Sequence, residues 1–231
     1  MTTNVSKTPR TTAVNQPVAQ QVRDALRAML LDGALPPGAP IRQELTAERL
    51  RVSRIPVREA LRMLEAEGVV RYEKNVGYSV TRLSRDDLRQ NYLLRRILET
   101  GLLREVRPSA EVDLSTLIAL NNDMASALES GNVAESLRLN KKFHFAMFEL
   151  ARLSIVSEEI SRVWLQSDAY RAVILYAPES ADRVVSEHAK MIKLLARGKI
   201  DDLIDAMDHH RDAGERRVLQ MFDLLARHGN D

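Results

Sequence analysis

The chain has 231 residues, no cysteine, 45% hydrophobic residues and a formal net charge of +2. That length suits one large domain or two smaller ones. The missing cysteines exclude a disulfide framework and thiolate metal sites, and no apolar run approaches the ~18 residues of a membrane span. The charge is uneven: residues 1–84 carry +5, residues 85–231 carry −3, and all five histidines lie in the second part. A basic head without histidine, joined to an acidic body that holds all of it, suggests two jobs.

In chain order, "MTTNVSKTPRTTAVNQ" (1–16) is polar and Thr-rich and lacks the apolar core of a signal peptide. It reads as a disordered tail on a cytoplasmic protein. Val18, Val22, Ala25, Leu26, Met29 and Leu30 recur at helical spacing, which predicts an amphipathic helix over 17–32. Gly33 ends it and "LPPG" (35–38) is a turn. A short helix is expected at 43–50 with Leu45 and Leu50 inward. Proline is tolerated only in the first turn of a helix, so Pro56 places the start of a third helix near 54–56. Val57, Ala60, Leu61 and Leu64 form its buried stripe, and Gly68 is its C′ residue. "VVRYE" and "YSVTR" read as strands around "KNVG", with Gly77 free to take positive φ. Three helices followed by a hairpin make residues 17–83 a winged helix-turn-helix.

From Ser84 onward no strand signal appears. Six helices are predicted near 85–107, 111–130, 133–151, 154–176, 179–197 and 200–227, broken at Pro108, Gly131, the polar run around Ser154, Pro178 and Gly198. Short connections pack neighbours antiparallel, so residues 84–231 are expected to form an all-α six-helix antiparallel bundle. The fold class is mainly α.

Within the head, "VSRIPVREAL" (52–61) puts arginines at the exposed start of a helix, where the dipole's positive end disfavours cations. Arg54, Arg58 and Arg62 lie at i, i+4 and i+8, away from the buried stripe, with Arg51 and Ser53 just before them. A recognition helix reaches base edges with its N-terminal residues, and arginine can hold guanine O6 and N7 with two hydrogen bonds. The opposing reading is a solvated basic face partnered by Glu59 and Glu65.

The segment "LPPGAPIRQELTAERLRVSRIPVREALRMLEAEGVVRYEKNVGYSV" resembles the DNA-binding head of the GntR family of bacterial transcription regulators, through its "PG" turn, its "VS-R-x-P-VREAL" run and its Gly-containing wing. The resemblance implies that Ser53, Arg54 and Arg58 contact DNA and that Gly77 in the wing approaches the minor groove. Gln43, near the start of the second helix, is a further candidate contact. Ile55 stands where the family often has Thr, and Val76 where an Arg often precedes the wing glycine.

In the body, three helices carry histidine on a stripe expected to be buried. One stripe is Leu137, Asn140, His144, Met147, Phe148 and Ala151; the next is Val184, Val185, His188, Met191, Ile192 and Leu195. The third is Leu203, Ala206, Met207, His210, Ala213 and Gly214. Each imidazole is costly to bury without a partner, and one metal ion would satisfy all three. The alternative is three hydrogen-bonded core residues. His209 and His228 fall on polar positions. "LLRRILE" (93–99), "NKKFH" (140–144), "EH" (187–188) and "AMDHH" (206–210) resemble the FCD effector-binding domain of FadR-type regulators, in its six-helix VanR-like form.

That resemblance implies a divalent ion on His144, His188, His210 and the residue at 140, beside a carboxylate effector touching the same side chains. The family's Asp is Asn140 here, so the site lacks one negative charge. Imidazole-rich sets suit Zn or Ni better than Ca or Mg. Arg95 and Glu99 share a stripe with Leu88, Tyr92, Leu102 and Val106. They either form an i, i+4 ion pair, or Arg95 holds the effector carboxylate with a two-bond fork. Trp164, Tyr170 and Arg171 are further candidates for lining a pocket.

The function these resemblances imply is a transcriptional repressor that binds a pseudo-palindromic operator as a homodimer, with residues 84–231 as the effector-binding and dimerisation domain and a small organic acid bound there in control. Alternatives are the same regulator without metal, and a metal-dependent hydrolase with a nucleic-acid-binding head. The hydrolase needs a general base beside the metal. "NKKFH" offers none, and Glu187, next to His188, is expected to point outward.

Overall fold

The computed structural model describes residues 16–107, 113–174 and 181–228. The tail through residue 15 and the helix breaks at Pro108 and Pro178 lie outside the described residues, as does the side chain of His228.

In the head, helices α1 (Val18–Leu31), α2 (Gln43–Leu50) and α3 (Arg54–Ala66) precede a hairpin of β2 (Val70–Glu73) and β3 (Gly77–Val80). Val22, Leu26, Leu30, Val57, Ala60, Leu61 and Leu64 close one apolar cluster with the inner residues of the hairpin. A two-residue strand, β1 (Pro40–Ile41), pairs antiparallel with β3 and completes a sheet of order β1-β3-β2. The sequence reading missed it: two residues carry no alternation, and its leading proline is tolerated only at a strand start or edge.

Leu45 is corrected. It is 56% exposed, and Thr46 and Ala47 are the buried residues of α2. Leu45 and Leu50 are five residues apart, about 140° around the helix, so they cannot share one buried face. Leu50 packs against the head core instead.

The body comprises α4 (Arg85–Arg104), α5 (Ser115–Glu129), α6 (Val133–Glu149), α7 (Ser154–Ile174), α8 (Ala181–Ala196) and α9 (Ile200–His228). A reciprocal capping box between Ser84 and Asp87 starts α4, and the Asn132 side chain caps α6. Helix α4 packs on α7 and α9, α5 on α6 and α8, and α8 on α9. No helix among the described residues is long and apolar enough to cross a membrane.

Head and body are joined through α7. Leu165 and Ala169 belong to the head's core cluster. The Tyr170 hydroxyl accepts from Leu83 N at 2.6 Å and donates to Leu83 O at 3.2 Å, at the point where the head ends. Tyr170 therefore ties α7 to the linker rather than lining the histidine cavity.

Candidate functional site

Two sites emerge, one on each part. In the head, Ser53 is the N-cap residue of α3, but its side chain makes no capping bond, so the hydroxyl stays available at an exposed position. Arg51 ends α2 with a left-handed φ of 54°, a conformation that costs a non-glycine residue ~1 kcal/mol or more. Arg54 is exposed and meets Glu44 of α2 at 2.9 Å. Arg58 lies one turn on, also exposed. Gln43 opens α2. At the wing, Gly77 has φ of 101° and nothing within 4 Å of where a Cβ would stand. Positive φ favours glycine there, and the open space leaves the backbone accessible to a groove. The structure brings Ser53, Arg54 and Arg58 together at the start of α3.

In the body, His144 on α6, His188 on α8 and His210 on α9 converge, their ligating atoms all within 4.8 Å of one another. His188 stacks on Phe143 at 3.9 Å and nearly parallel, which fixes its ring plane. Both ring nitrogens of His188 and Nδ1 of His144 are buried with no hydrogen-bond partner. Orphaned donors and acceptors of this kind are rare in a folded interior and require an explanation. His210 differs, because its Nδ1 lies 2.6 Å from Glu187 Oε2. Glu187 also pairs with Arg183.

The expectation that Glu187 points outward is therefore corrected. One step along α8 turns it 100° from His188, toward α9 rather than to solvent. A carboxylate behind an imidazole orients the ring and raises its basicity as a ligand. Burial pushes the His144 pKa well below its ordinary value, helped by His188 and His210. Burial does the same to His188, with His210 and Arg171 adding to it. His210 is lowered by burial too, against the upward pull of Glu187. Neutral imidazoles are the form that ligates a metal, so the donor set fits a divalent ion.

Asn140 and His210 line a cavity of about 60 Å³ with Tyr92, Arg171, Arg183 and Arg217. That space holds a handful of water-sized atoms, far less than the ~300 Å³ of a drug-sized pocket. Arg171 lies over the Trp164 ring at 4.2 Å and 3.7 Å from Asp168, and its Nη1 makes no hydrogen bond. Arg95 covers the other contact with Trp164 at 4.0 Å. It donates to Glu99 Oε1 at 2.9 Å, the ion pair read from the sequence, and it is absent from the cavity lining.

Glu99 is fully buried and also accepts from Trp164 Nε1 at 2.6 Å and Arg211 Nε at 3.0 Å. Burial alone would raise its pKa, but Arg95 and Arg211 outweigh it and hold the carboxyl below its ordinary value. Sequence reasoning missed Arg211, which is buried on α9 one position past His210. The only available signal was its acidic partner Asp208 at i−3.

A model of the bacterial regulatory proteins of the gntR family matches residues 18–80, and an FCD domain model matches residues 90–213. The chain belongs to the GntR family. It is a transcriptional regulator with a DNA-binding head and an FCD body, and not an enzyme. The regulator is 25% identical to the uncharacterized HTH-type transcriptional regulator YdhC of Bacillus subtilis, over 92% of this chain and 91% of that one. It is 23% identical to the HTH-type transcriptional repressor RspR of Escherichia coli, over 89% of this chain and 91% of that one. The structure of Escherichia coli McbR/YncC matches with a TM-score of 0.78, over 90% of this chain and all of that one, at 21% identity. That last likeness is one of fold.

Proposed function

We propose that this regulator is a cytoplasmic repressor that binds a pseudo-palindromic operator as a homodimer and responds to a small carboxylate effector in the body. The head spans residues 17–83 and the body 84–231. Ser53, Arg54 and Arg58 enter the major groove, Gln43 supports them, and the backbone at Gly77 approaches the minor groove. One head reads few base pairs, so two are needed for a useful site.

The observation that carries the effector reading is the convergence of His144, His188 and His210 with three orphaned ring nitrogens. These residues would hold a divalent ion, Zn or Ni in preference to Ca or Mg. Asn140 offers a neutral amide oxygen from the same cavity wall. A bound divalent ion supplies positive charge that the neutral imidazoles and Asn140 leave uncompensated, which favours an anionic ligand. Arg171 is better placed than Arg95 to bind the carboxylate, since it lines the cavity and retains an unsatisfied Nη1. Arg95 orients the site through Trp164 and Glu99.

Helix α7 can carry the response. Trp164 and Arg171 face the site, while Leu165, Ala169 and Tyr170 face the head and its linker. A shift of α7 on effector binding moves both sets together.

Elemental analysis of the purified regulator tests the metal. One divalent ion per chain, lost in His188→Ala, supports it. A metal-free regulator that still releases operator with small organic acids supports direct binding by Arg171 and the histidines instead.

A further inference from the structure

On the outer face of α3 one large side chain is apolar. Ile55 is 61% exposed, and every other large apolar residue of this helix is turned inward or half-buried. Turning by about 100° per residue, Ile55 lies opposite the middle of the buried stripe of Val57, Ala60, Leu61 and Leu64. Arg58 and Arg62 follow it three and seven residues on, along the same outward ridge. Arg54 precedes it, and the first turn of α3 holds no acidic residue. An isoleucine thus stands at the centre of a face that arginines surround.

Local structure does not call for isoleucine there. The apolar pair that fixes the entry of a helix lies at N′ and N4, which here are Val52 and Val57. Val57 is fully buried and Val52 packs against the head core. Ile55, at N2, has no part in that pair. A β-branched side chain adds nothing to helix propensity. The residue before a proline is disfavoured in the helical conformation that Ile55 adopts ahead of Pro56. Single exposed apolar residues are common on protein surfaces, but this one occupies the face assigned to the major groove. A threonine there would offer a hydroxyl to a phosphate or a base edge, whereas isoleucine offers carbon alone.

In the major groove the apolar group that a base presents is the C5-methyl of thymine. We propose that Ile55 is a specificity residue that packs against a thymine methyl in each half-site, beside the base pairs reached by Arg54 and Arg58. The arginines supply charge and hydrogen bonds to guanine, and the isoleucine separates thymine from cytosine at the neighbouring base pair. Contact with the methyl removes apolar surface of both partners from water. Cytosine would instead present its amino group to a side chain that cannot accept from it. This rests on the placement of α3 in the major groove and adds to it which base is read.

The operator is selected from a random duplex library with the full chain. Binding is then titrated at fixed salt on the selected duplex and on copies in which one thymine at a time is replaced by deoxyuridine, which lacks only the methyl. The wild type selects a fixed thymine in each half-site, and deoxyuridine there weakens binding about fivefold. Ile55→Ala, with its fold checked by circular dichroism, binds the unmodified duplex about fivefold more weakly and is indifferent to deoxyuridine at that position, because both changes remove the same contact. Arg54→Ala and Arg58→Ala lose affinity but keep the deoxyuridine effect. Full affinity in both arginine variants removes α3 from the groove and this proposal with it. If the arginine variants are weakened, two results leave α3 in the groove and overturn the proposal: a wild type that tolerates deoxyuridine at every thymine, or an Ile55→Ala variant that loses as much on deoxyuridine as the wild type does.

Discussion

Arginine does opposite work in the two parts of the regulator. In the head, Arg54 and Arg58 stand in solvent on α3, at the end of a helix whose dipole disfavours them. In the body, Arg95 and Arg211 are buried on either side of Glu99, and Arg171 lies against Trp164. An exposed guanidinium keeps its hydration until a phosphate or guanine replaces it, so its value appears only on binding. A buried one has given up that hydration on folding and must be compensated within the chain. Substitutions in the head should therefore alter DNA affinity at constant stability. Substitutions in the body should alter stability first.

The largest effect is expected at Glu99. Glu99→Ala leaves Arg95 and Arg211 buried without their carboxylate and should destabilise the body by about 3–5 kcal/mol. Urea unfolding measures it, and a loss below about 1 kcal/mol would break the contrast between the two sets of arginines. Because the folded-state pKa of Glu99 is depressed, its contribution is present above the unfolded carboxyl value and is lost as the pH falls through the folded one.

The histidines give a second pH dependence, at higher pH. All three have folded-state pKa values below the ordinary 6.5. Below pH 6.5 the unfolded chain takes up protons that the folded body refuses, so stability falls on acidification. The slope is at most about 1.4 kcal/mol per histidine per pH unit. Melts of metal-free protein at several pH values between 7.5 and 5 check the sign. Stability that rises on acidification across pH 6.5 would contradict neutral buried imidazoles.

The head should show the smaller and cleaner effect. Arg54→Ala and Arg58→Ala should each cost about 1–3 kcal/mol of operator affinity and change stability by no more than ~0.5 kcal/mol. Titration at fixed salt measures the first and urea unfolding the second. Unchanged operator affinity in both variants would remove α3 from the DNA interface.

What the sequence made legible follows the same division. The head's recognition helix was readable because Pro56 fixes its start and Val57, Ala60, Leu61 and Leu64 mark one face. The three histidines were readable because each sits at helical spacing among apolar residues. Their mutual approach, which the structure bears out, came from the resemblance to the FCD domain, since periodicity gives the face a residue occupies but not what crosses that face. Glu187 and Arg211 were misread or missed for a related reason. Each is a charged residue adjacent to a histidine, which on composition alone belongs in solvent; Glu187 is held by the His210 imidazole of α9 and Arg211 by the Glu99 carboxylate of α4. Asn140 was placed at the cavity by its spacing to His144, and the structure puts it on the same wall as His210.

A zinc-dependent melting series tests most directly the proposal that these histidines share a divalent ion. Metal-stripped wild type should melt higher with added Zn, with about 2.7 kcal/mol of stabilisation at a hundredfold excess over Kd. Asn140→Asp should respond more strongly, because it restores an anionic oxygen at nearly constant volume, and His188→Ala should lose the response. If Asn140→Asp melts lower than wild type and neither protein responds to Zn, the histidines are core residues and share no ion.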